Sequence, residues 1–324
     1  MNQPSLQDVF RARGRIAGIA VRTPFIESPR LSRTLGSRVF VKLESLQRTG
    51  AFKVRGAANR ILSFTPEQQQ AGVITFSTGN HGKAVAYVAG RLGLPAVVCI
   101  SEHVPAYRAE RIRELGAEVV VKGHSQDEAE REYHRLINEC NLQPVVPFDD
   151  PYVIAGQATI GLEMLEDEPD LDTVLVQLSG GGLGAGVGLA LKEINPGLRL
   201  IGVSIERSPA LLKSLQAGRP VDVEERDTVA DSLLGGIGMD NRYTLQMVDR
   251  YFDEHIVVEE SEIELGMSYM LSEHSLVVEG AGTAAIGALL QHEITNLGNK
   301  VGVIASGSAV DLAQYLETMS RLLR

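Results

Sequence analysis

Lys53 lies in the run Gly50-Ala51-Phe52-Lys53-Val54-Arg55-Gly56-Ala57, and an amine so placed becomes chemically useful only where other segments supply partners. Most lysines are solvated surface charges. Here three further segments each follow a short apolar run that reads as a strand: Ser77-Thr78-Gly79-Asn80-His81-Gly82, Ser179-Gly180-Gly181-Gly182-Leu183-Gly184 and Ser306-Gly307-Ser308-Ala309-Val310-Asp311-Leu312. In the second of these a strand runs into glycines and then a helix, so successive backbone N–H groups can turn toward one anion at a helix N-terminus. Side chains at Gly180, Gly181 and Gly182 would block that approach; a purely steric strand-to-helix turn is the plainer alternative. The segment is not a nucleotide loop, because no Gly-Lys-Ser/Thr follows and three consecutive glycines do not give the GxGxxG spacing. A phosphate monoester fits it better.

Pyridoxal phosphate joins such a phosphate to an aldehyde that condenses with a lysine amine. Lys53 would supply the amine and, once displaced by a substrate amine, would stand beside the substrate Cα as a general base. Ser306, otherwise an ordinary serine ending a strand, offers a neutral hydroxyl to a pyridine nitrogen. Unlike a carboxylate it does not favour a protonated ring, which suits β-elimination better than transamination. His81 follows Asn80 at a helix start and reads as a structural or carboxylate-loop hydrogen-bonder rather than a proton shuttle. The other histidines form no cluster with metal-ligand spacing.

These segments need a scaffold, and the chain alternates strand-like and helix-like stretches, the α/β signature. Strands are expected over Val39–Leu43, Val73–Phe76, Ala96–Ile100, Glu118–Val121, Val174–Leu178, Leu200–Ser204 and Val301–Ala305, several being continuous apolar β-branched runs that suit parallel sheets covered on both faces. Helices are expected over Phe52–Leu62, Gly82–Leu92, Tyr107–Leu115, Asp127–Cys140, Gln157–Leu165, Gly184–Ile194, Glu262–His274, Thr283–Glu293 and Val310–Leu323. The 324 residues, 44% hydrophobic, can bury a full core. A formal charge of -10 with no basic block argues against nucleic-acid binding. Cys99 and Cys140 make no disulfide framework, fitting a reducing compartment, with the cytoplasm as default. No apolar run reaches signal-peptide or membrane-spanning character.

On these ordered motifs the chain resembles the fold type II pyridoxal-phosphate enzymes, the tryptophan synthase β-like fold, and within them the serine/threonine dehydratase and serine racemase family. The resemblance implies two open parallel-sheet α/β domains with the cofactor between them: a large domain of residues 1–61 and 147–324, and a small one of 62–146 that closes over substrate. It implies Lys53 as the Schiff-base lysine, Phe52 against the cofactor ring, Asn80 on the ring hydroxyl and Ser306 at the ring nitrogen. Ser179, Gly180, Gly181, Gly182 and Leu183 would hold the phosphate, and Ser77, Thr78, Gly79, Asn80 and His81 would wrap the substrate carboxylate. A homodimer is implied as well.

Departures from the family pattern bear mainly on substrate. Thr78 stands where racemases place the serine acid/base opposite the lysine, keeping a hydroxyl but adding a methyl. The family's Ser-Gly-Gly-Asn is here Ser306-Gly307-Ser308-Ala309. Gly236 stands where racemase-like members place a serine, which leaves room for a bulkier substrate. Glu206 and the Ala210 carbonyl match a Mg or Ca site of some members, but the acidic partner is Leu212, and losing a carboxylate argues against that divalent cation. The runs Gly238–Thr244 and Glu273–Gly280 are similar to the hydroxyectoine-utilization dehydratases, which would act on a hydroxy-diaminobutyrate. The implied reaction is β-elimination from a β-hydroxy amino acid such as L-threonine or L-serine, giving a 2-oxo acid and ammonia. Alternatives are a racemase, a β-replacement synthase that traps the eliminated product with a nucleophile, and a noncatalytic binding protein. With the chain ending at Arg324, no regulatory domain and no isoleucine feedback are expected.

Overall fold

Valine and isoleucine are stiff at χ1 and pack well on a pleated surface, and the runs rich in them form the sheets. The computed structural model describes residues 2–77, 79–104, 106–124 and 126–322. Its strands are β1 (Phe25–Glu27), β2 (Arg38–Lys42), β3 (Val73–Phe76), β4 (Ala96–Ile100), β5 (Glu118–Val121), β6 (Gln143–Pro144), β7 (Thr173–Gln177), β8 (Arg199–Ile205), β9 (Glu254–Val258) and β10 (Lys300–Ile304). A six-stranded sheet has the order β1-β2-β10-β7-β8-β9, and a four-stranded sheet the order β5-β4-β3-β6. Among the strand pairs of the described residues, β1–β2 alone is antiparallel, with Ile26 opposite Val41. β10 lies between β2 and β7, with Val303 opposite Val41 on one side and Leu175 on the other.

Every strand expected from the apolar runs is present, shifted by no more than a residue at its ends. Three are additional: β1, β6 and β9 are short or half-buried edge strands, with little apolar content to announce them. Each expected helix is likewise present, and the helix expected over Gln157–Leu165 runs from Pro151 to Asp167. Its longer start has a local cause: Asp150 caps it by accepting from the Tyr152 and Val153 amides, and Pro151 presets the first turn. The helices Leu6–Ile16, Pro29–Leu35, Pro66–Ala71, Ala210–Ala217 and Thr244–Tyr251 are further additions.

The large sheet is covered on both faces. One side packs Ile154, Ala158, Val187 and Leu191 against Val174 and Val176; the other packs Ala281, Ala285 and Ile286 against Val41, Leu175 and Val303. The small sheet has its own core, in which Val73, Val98 and Ile100 meet Val85 and Val88. Val54, Ala57, Ala58 and Ile61, from the helix Lys53–Ile61, enter that same core. This helix therefore joins the two layers and carries Lys53 at its first residue. The loops after β3, β7 and β10, all leaving carboxyl ends of parallel strands, hold the other three motifs, where ligands bind in open α/β sheets. No helix is long and apolar enough to cross a membrane among the described residues.

Candidate active site

Backbone pairing fixes the lysine. Ala51 bridges Gly307, the Phe52 amide donates to the Ser306 carbonyl at 3.0 Å, and the Ser308 amide donates to the Gly50 carbonyl at 2.8 Å. The motif near residue 50 and the motif after β10 thus form one short antiparallel patch. Ser308 adds its hydroxyl, 3.2 Å from the carbonyls of both Ser45 and Gly50. Ser306 is buried beside the lysine-bearing turn, and Phe52 is half-buried with its ring centroid 5.2 Å from the Lys53 ammonium.

The Lys53 ammonium donates to the Pro147 carbonyl at 2.8 Å. Burial pushes its pKa down to about 8, partly opposed by the carboxylate of Glu279. An amine with that pKa is neutral in a useful fraction near neutrality, as a nucleophile or base must be. The next residue, Phe148, forms a wall for the glycine loop. A Cβ on Gly180 would sit 2.4 Å from the Phe148 ring, one on Gly182 would meet the Phe148 Cα at 2.9 Å, and one on Gly181 would meet Thr244 at 2.8 Å. The bareness of the loop is therefore imposed by this wall, in keeping with the steric reading of the turn, whether or not an anion also approaches it. Gly181 also has φ +86°, which favours glycine. The helix Gly182–Ile194 starts at the loop, leaving its first amides free for an anion. Asp149 braces the wall by accepting from the amides of Arg242, Tyr243 and Thr244. Ser179 is half-buried and Leu183 buried.

On the opposite side, the helix Asn80–Leu92 follows β3 after a turn so tight that a Cβ on Gly82 would fall 1.9 Å from the Ser77 carbonyl oxygen. Asn80 is buried; its Nδ2 donates to Glu279 at 2.7 Å, while Oδ1 has no partner among the described residues. His81 is buried and pairs through Nε2 with the Val145 carbonyl at 2.8 Å. Burial, aided by the charge on Lys53, lowers its pKa to about 3. The imidazole is thus neutral, which leaves Nε2–H as the donor to Val145 and Nδ1 as an unpartnered acceptor. Ser77 and Gly79 flank Thr78, which lies outside the described residues.

Glu279 was not among the residues singled out by motif, yet it ties the site together. It accepts from Asn80, and from the Ala309 amide at 3.0 Å, while its own amide donates to Gly307. Burial raises its carboxyl to about 7, reinforced by the charge of Asp231. A second feature missed by motif is the ionic cluster beneath Lys53. Arg55, fully buried, donates to Glu44, Glu163, Thr159 and the Val21 carbonyl; Lys42, also fully buried, donates to Glu163 at 2.6 Å and to the Thr23 carbonyl. Burial alone would raise the Glu44 carboxyl, but Arg55 holds it below its usual range. The sequence hint was the arginine two residues after the lysine, on a helix whose neighbours are apolar.

Other expected residues lie apart. Glu206 is exposed at the end of β8, and Ala210 opens a helix. The described residues hold no group of three or more His, Cys, Asp or Glu side chains able to bind a metal. A Cβ on Gly236 would meet only the Gly238 amide, at 4.0 Å, so that position is open.

A depressed lysine amine, a glycine loop at a helix start and a buried amide oxygen with no partner among the described residues suit an enzyme that uses a phosphorylated carbonyl cofactor. The family model described as pyridoxal-phosphate dependent enzyme matches residues 16–307, and the chain belongs to that family. The cofactor is pyridoxal 5'-phosphate, and the residues present fit it: Lys53 for its carbonyl carbon, the glycine loop for its phosphate, and the Asn80 amide, with one unpartnered oxygen, at its ring. The chain is 37% identical to the L-threonine ammonia-lyase of Thermotoga maritima over 95% of its length and 76% of that protein. It is 41% identical to that of Geobacter sulfurreducens over 90% of its length and 72% of that protein. The structure of maize serine racemase superposes with a TM-score of 0.92 at 33% identity, covering 99% of this chain and 98% of that one.

Proposed function

We propose that the protein is a pyridoxal-phosphate-dependent ammonia-lyase that eliminates the β-hydroxyl of L-threonine or L-serine, giving a 2-oxo acid and ammonia. The observation that carries this reading is the buried Lys53 amine, depressed to about 8 and held on the Pro147 carbonyl, next in sequence to the Phe148 wall of the glycine loop. The bound cofactor supplies an electron sink that makes the substrate Cα–H acidic. Lys53 removes the Cα proton and the β-hydroxyl departs with one proton as water; amides around Gly79 and Asn80 bind the substrate carboxylate. The amides of Gly180, Gly181 and Gly182 grip the phosphate, with Ser179 and Leu183 at the rim of the cup. Phe52 packs against the ring, and Ser306 donates to the ring nitrogen without protonating it. His81, neutral, orders the carboxylate loop through Val145. The eliminated product leaves as an enamine, tautomerises to the imine, and takes up water to release ammonia.

The unit of residues 62–146 is proposed to close over substrate against residues 1–61 and 147–324, supported by its separate four-stranded sheet. A homodimer is the proposed assembly; Leu312 and Leu316, one turn apart on the last helix, are 63% and 55% exposed and offer apolar surface for it. The two free cysteines support a cytoplasmic setting. The open position at Gly236 favours a second reading, a substrate bulkier than serine, with hydroxy-diaminobutyrate as the test case. Ammonia release by the cofactor-loaded protein from L-threonine, L-serine and hydroxy-diaminobutyrate, each supplied alone, decides between these. Silence with all three would overturn the ammonia-lyase reading in favour of a racemase or a β-replacement synthase.

A further inference from the structure

Between the helix Asn80–Leu92, the helix Ala106–Glu114 and the loop after β10 lies a narrow cleft, lined in part by Gly79, Asn80, Lys83, Arg108, Arg111 and Asp231. Three cations and one carboxylate face it. Arg108 takes the carboxylate, with its Nη2 3.0 Å from Asp231. Lys83 and Arg111 hold no hydrogen bond or ion pair among the described residues, and the Arg111 guanidinium stands only over the Tyr107 ring at 5.5 Å. Both side chains line the same cleft; burial lowers the Lys83 pKa and the charge of Arg111 lowers it further, opposed by the carboxylate of Glu279. Like charges held together in a partly buried cleft are an unfavourable arrangement that an anion would relieve.

The position of that anion follows from helix geometry. Asn80 and Lys83 are three residues apart on one helix, so they share a face and lie about 5–6 Å apart at Cβ. Lys83 therefore stands one turn outward from the loop assigned to the substrate carboxylate. We propose that Lys83 and Arg111 form a subsite for a second anionic group, a carboxylate or phosphate, at the outer end of the substrate cleft. The subsite rests on the ammonia-lyase reading and deepens it. Its anion has two sources: the side chain of a dicarboxylic β-hydroxy amino acid such as threo-3-hydroxyaspartate, or a free anion held beside a neutral substrate. The same charges disfavour a diamino substrate, whose second ammonium would meet two cations.

The test compares the cofactor-loaded wild type with Lys83→Gln, Arg111→Gln and Lys83→Arg. Ammonia release is measured from threo-3-hydroxyaspartate and from L-threonine, with and without inorganic phosphate, and phosphate binding is measured by calorimetry. If the substrate brings the anion, the ratio of KM for hydroxyaspartate to KM for threonine rises about tenfold in either glutamine variant, the size expected for one charge-assisted hydrogen bond, and Lys83→Arg restores it. If a free anion binds, phosphate shifts the threonine KM of the wild type, and its half-effect concentration rises about tenfold in the glutamine variants. Glutamine variants that keep both the substrate ratio and the phosphate response of the wild type overturn the subsite. Should no substrate yield ammonia, the ammonia-lyase reading fails separately. Calorimetry then decides the subsite: phosphate heat lost in the glutamine variants supports it, and heat absent from the wild type or equal in all variants refutes it.

Discussion

Replacing Arg55 by Met strands two buried carboxylates at once. Six hydrogen bonds leave with the guanidinium: two to Glu44, two to Glu163, and one each to Thr159 and the Val21 carbonyl. Lys42 remains against Glu163, but Glu44 keeps only Thr23 and Gln47 as hydrogen-bond partners. Breaking a buried ion pair by removing one partner costs about 3–5 kcal/mol, more than an exposed pair is ever worth. At roughly 2 °C per kcal/mol for a chain of this size, the melting temperature of the cofactor-loaded protein should fall by about 6–10 °C. Arg55→Lys keeps the charge but offers three donors in place of five, so about half of that loss is expected. Circular dichroism during heating measures both variants. A drop below about 2 °C in Arg55→Met would mean that water or neutralised carboxyls already occupy the cluster, and the argument from buried charge would fail.

Lys53→Ala should abolish both the absorbance of lysine-bound cofactor and turnover, with kcat lower by about 10³-fold or more; survival of either removes Lys53 from its assigned role. Gly180→Ala drives a methyl into the Phe148 ring, at a cost of about 1–3 kcal/mol, and should weaken cofactor affinity about tenfold in a fluorescence titration. Glu279 carries a pH prediction. Its carboxyl titrates near 4.5 in the unfolded chain and about 7 in the folded one, so the fold binds an extra proton between these values. Its contribution to stability therefore declines as pH rises through that window, by about 3 kcal/mol in all. Urea unfolding of the cofactor-free protein at pH 5 and 8 should show Glu279→Gln gaining on the wild type at the higher pH, and equal differences at both would contradict the assignment. Ser306→Asp should change the cofactor spectrum by favouring a protonated ring; an unaltered spectrum counts against Ser306 at the ring nitrogen.

The central strands were legible because Val73–Phe76, Val174–Val176 and Val301–Ile304 are runs that only a sheet covered on both faces can use. β9 was not, because an edge strand carrying Glu254 and His255 has no such signature. The glycine loop could be read locally, since a strand running into a helix start with bare residues has a signature of its own; the parts expected of Lys53 and Asn80 came from the ordered motifs and the family resemblance they carry. Glu44, Glu163 and Glu279 could not. A charged residue in a sequence reads as surface; Glu163 and Glu279 are paired by segments more than a hundred residues away, Arg55 with Glu163 and Asn80 with Glu279, and Glu44 by Arg55 eleven residues on, which no periodicity announces. The role of the glycines was half legible: the need for bareness was visible, but not the Phe148 ring that imposes it.

The patch that joins Ala51 and Phe52 to Ser306 and Gly307 links chain segments some 250 residues apart, and β2 finds its central neighbour only in β10. A ribosome makes the lysine some 250 residues before its clamp. Through most of synthesis the Val39–Val41 stretch has only the three-residue β1 beside it and an open edge on its other side, the condition in which nascent sheets stick to one another. Non-local pairing of this kind is slow. Cofactor capture thus marks the completion of folding, and a chain stalled short of residue 300 carries the reactive amine without the frame that tames it.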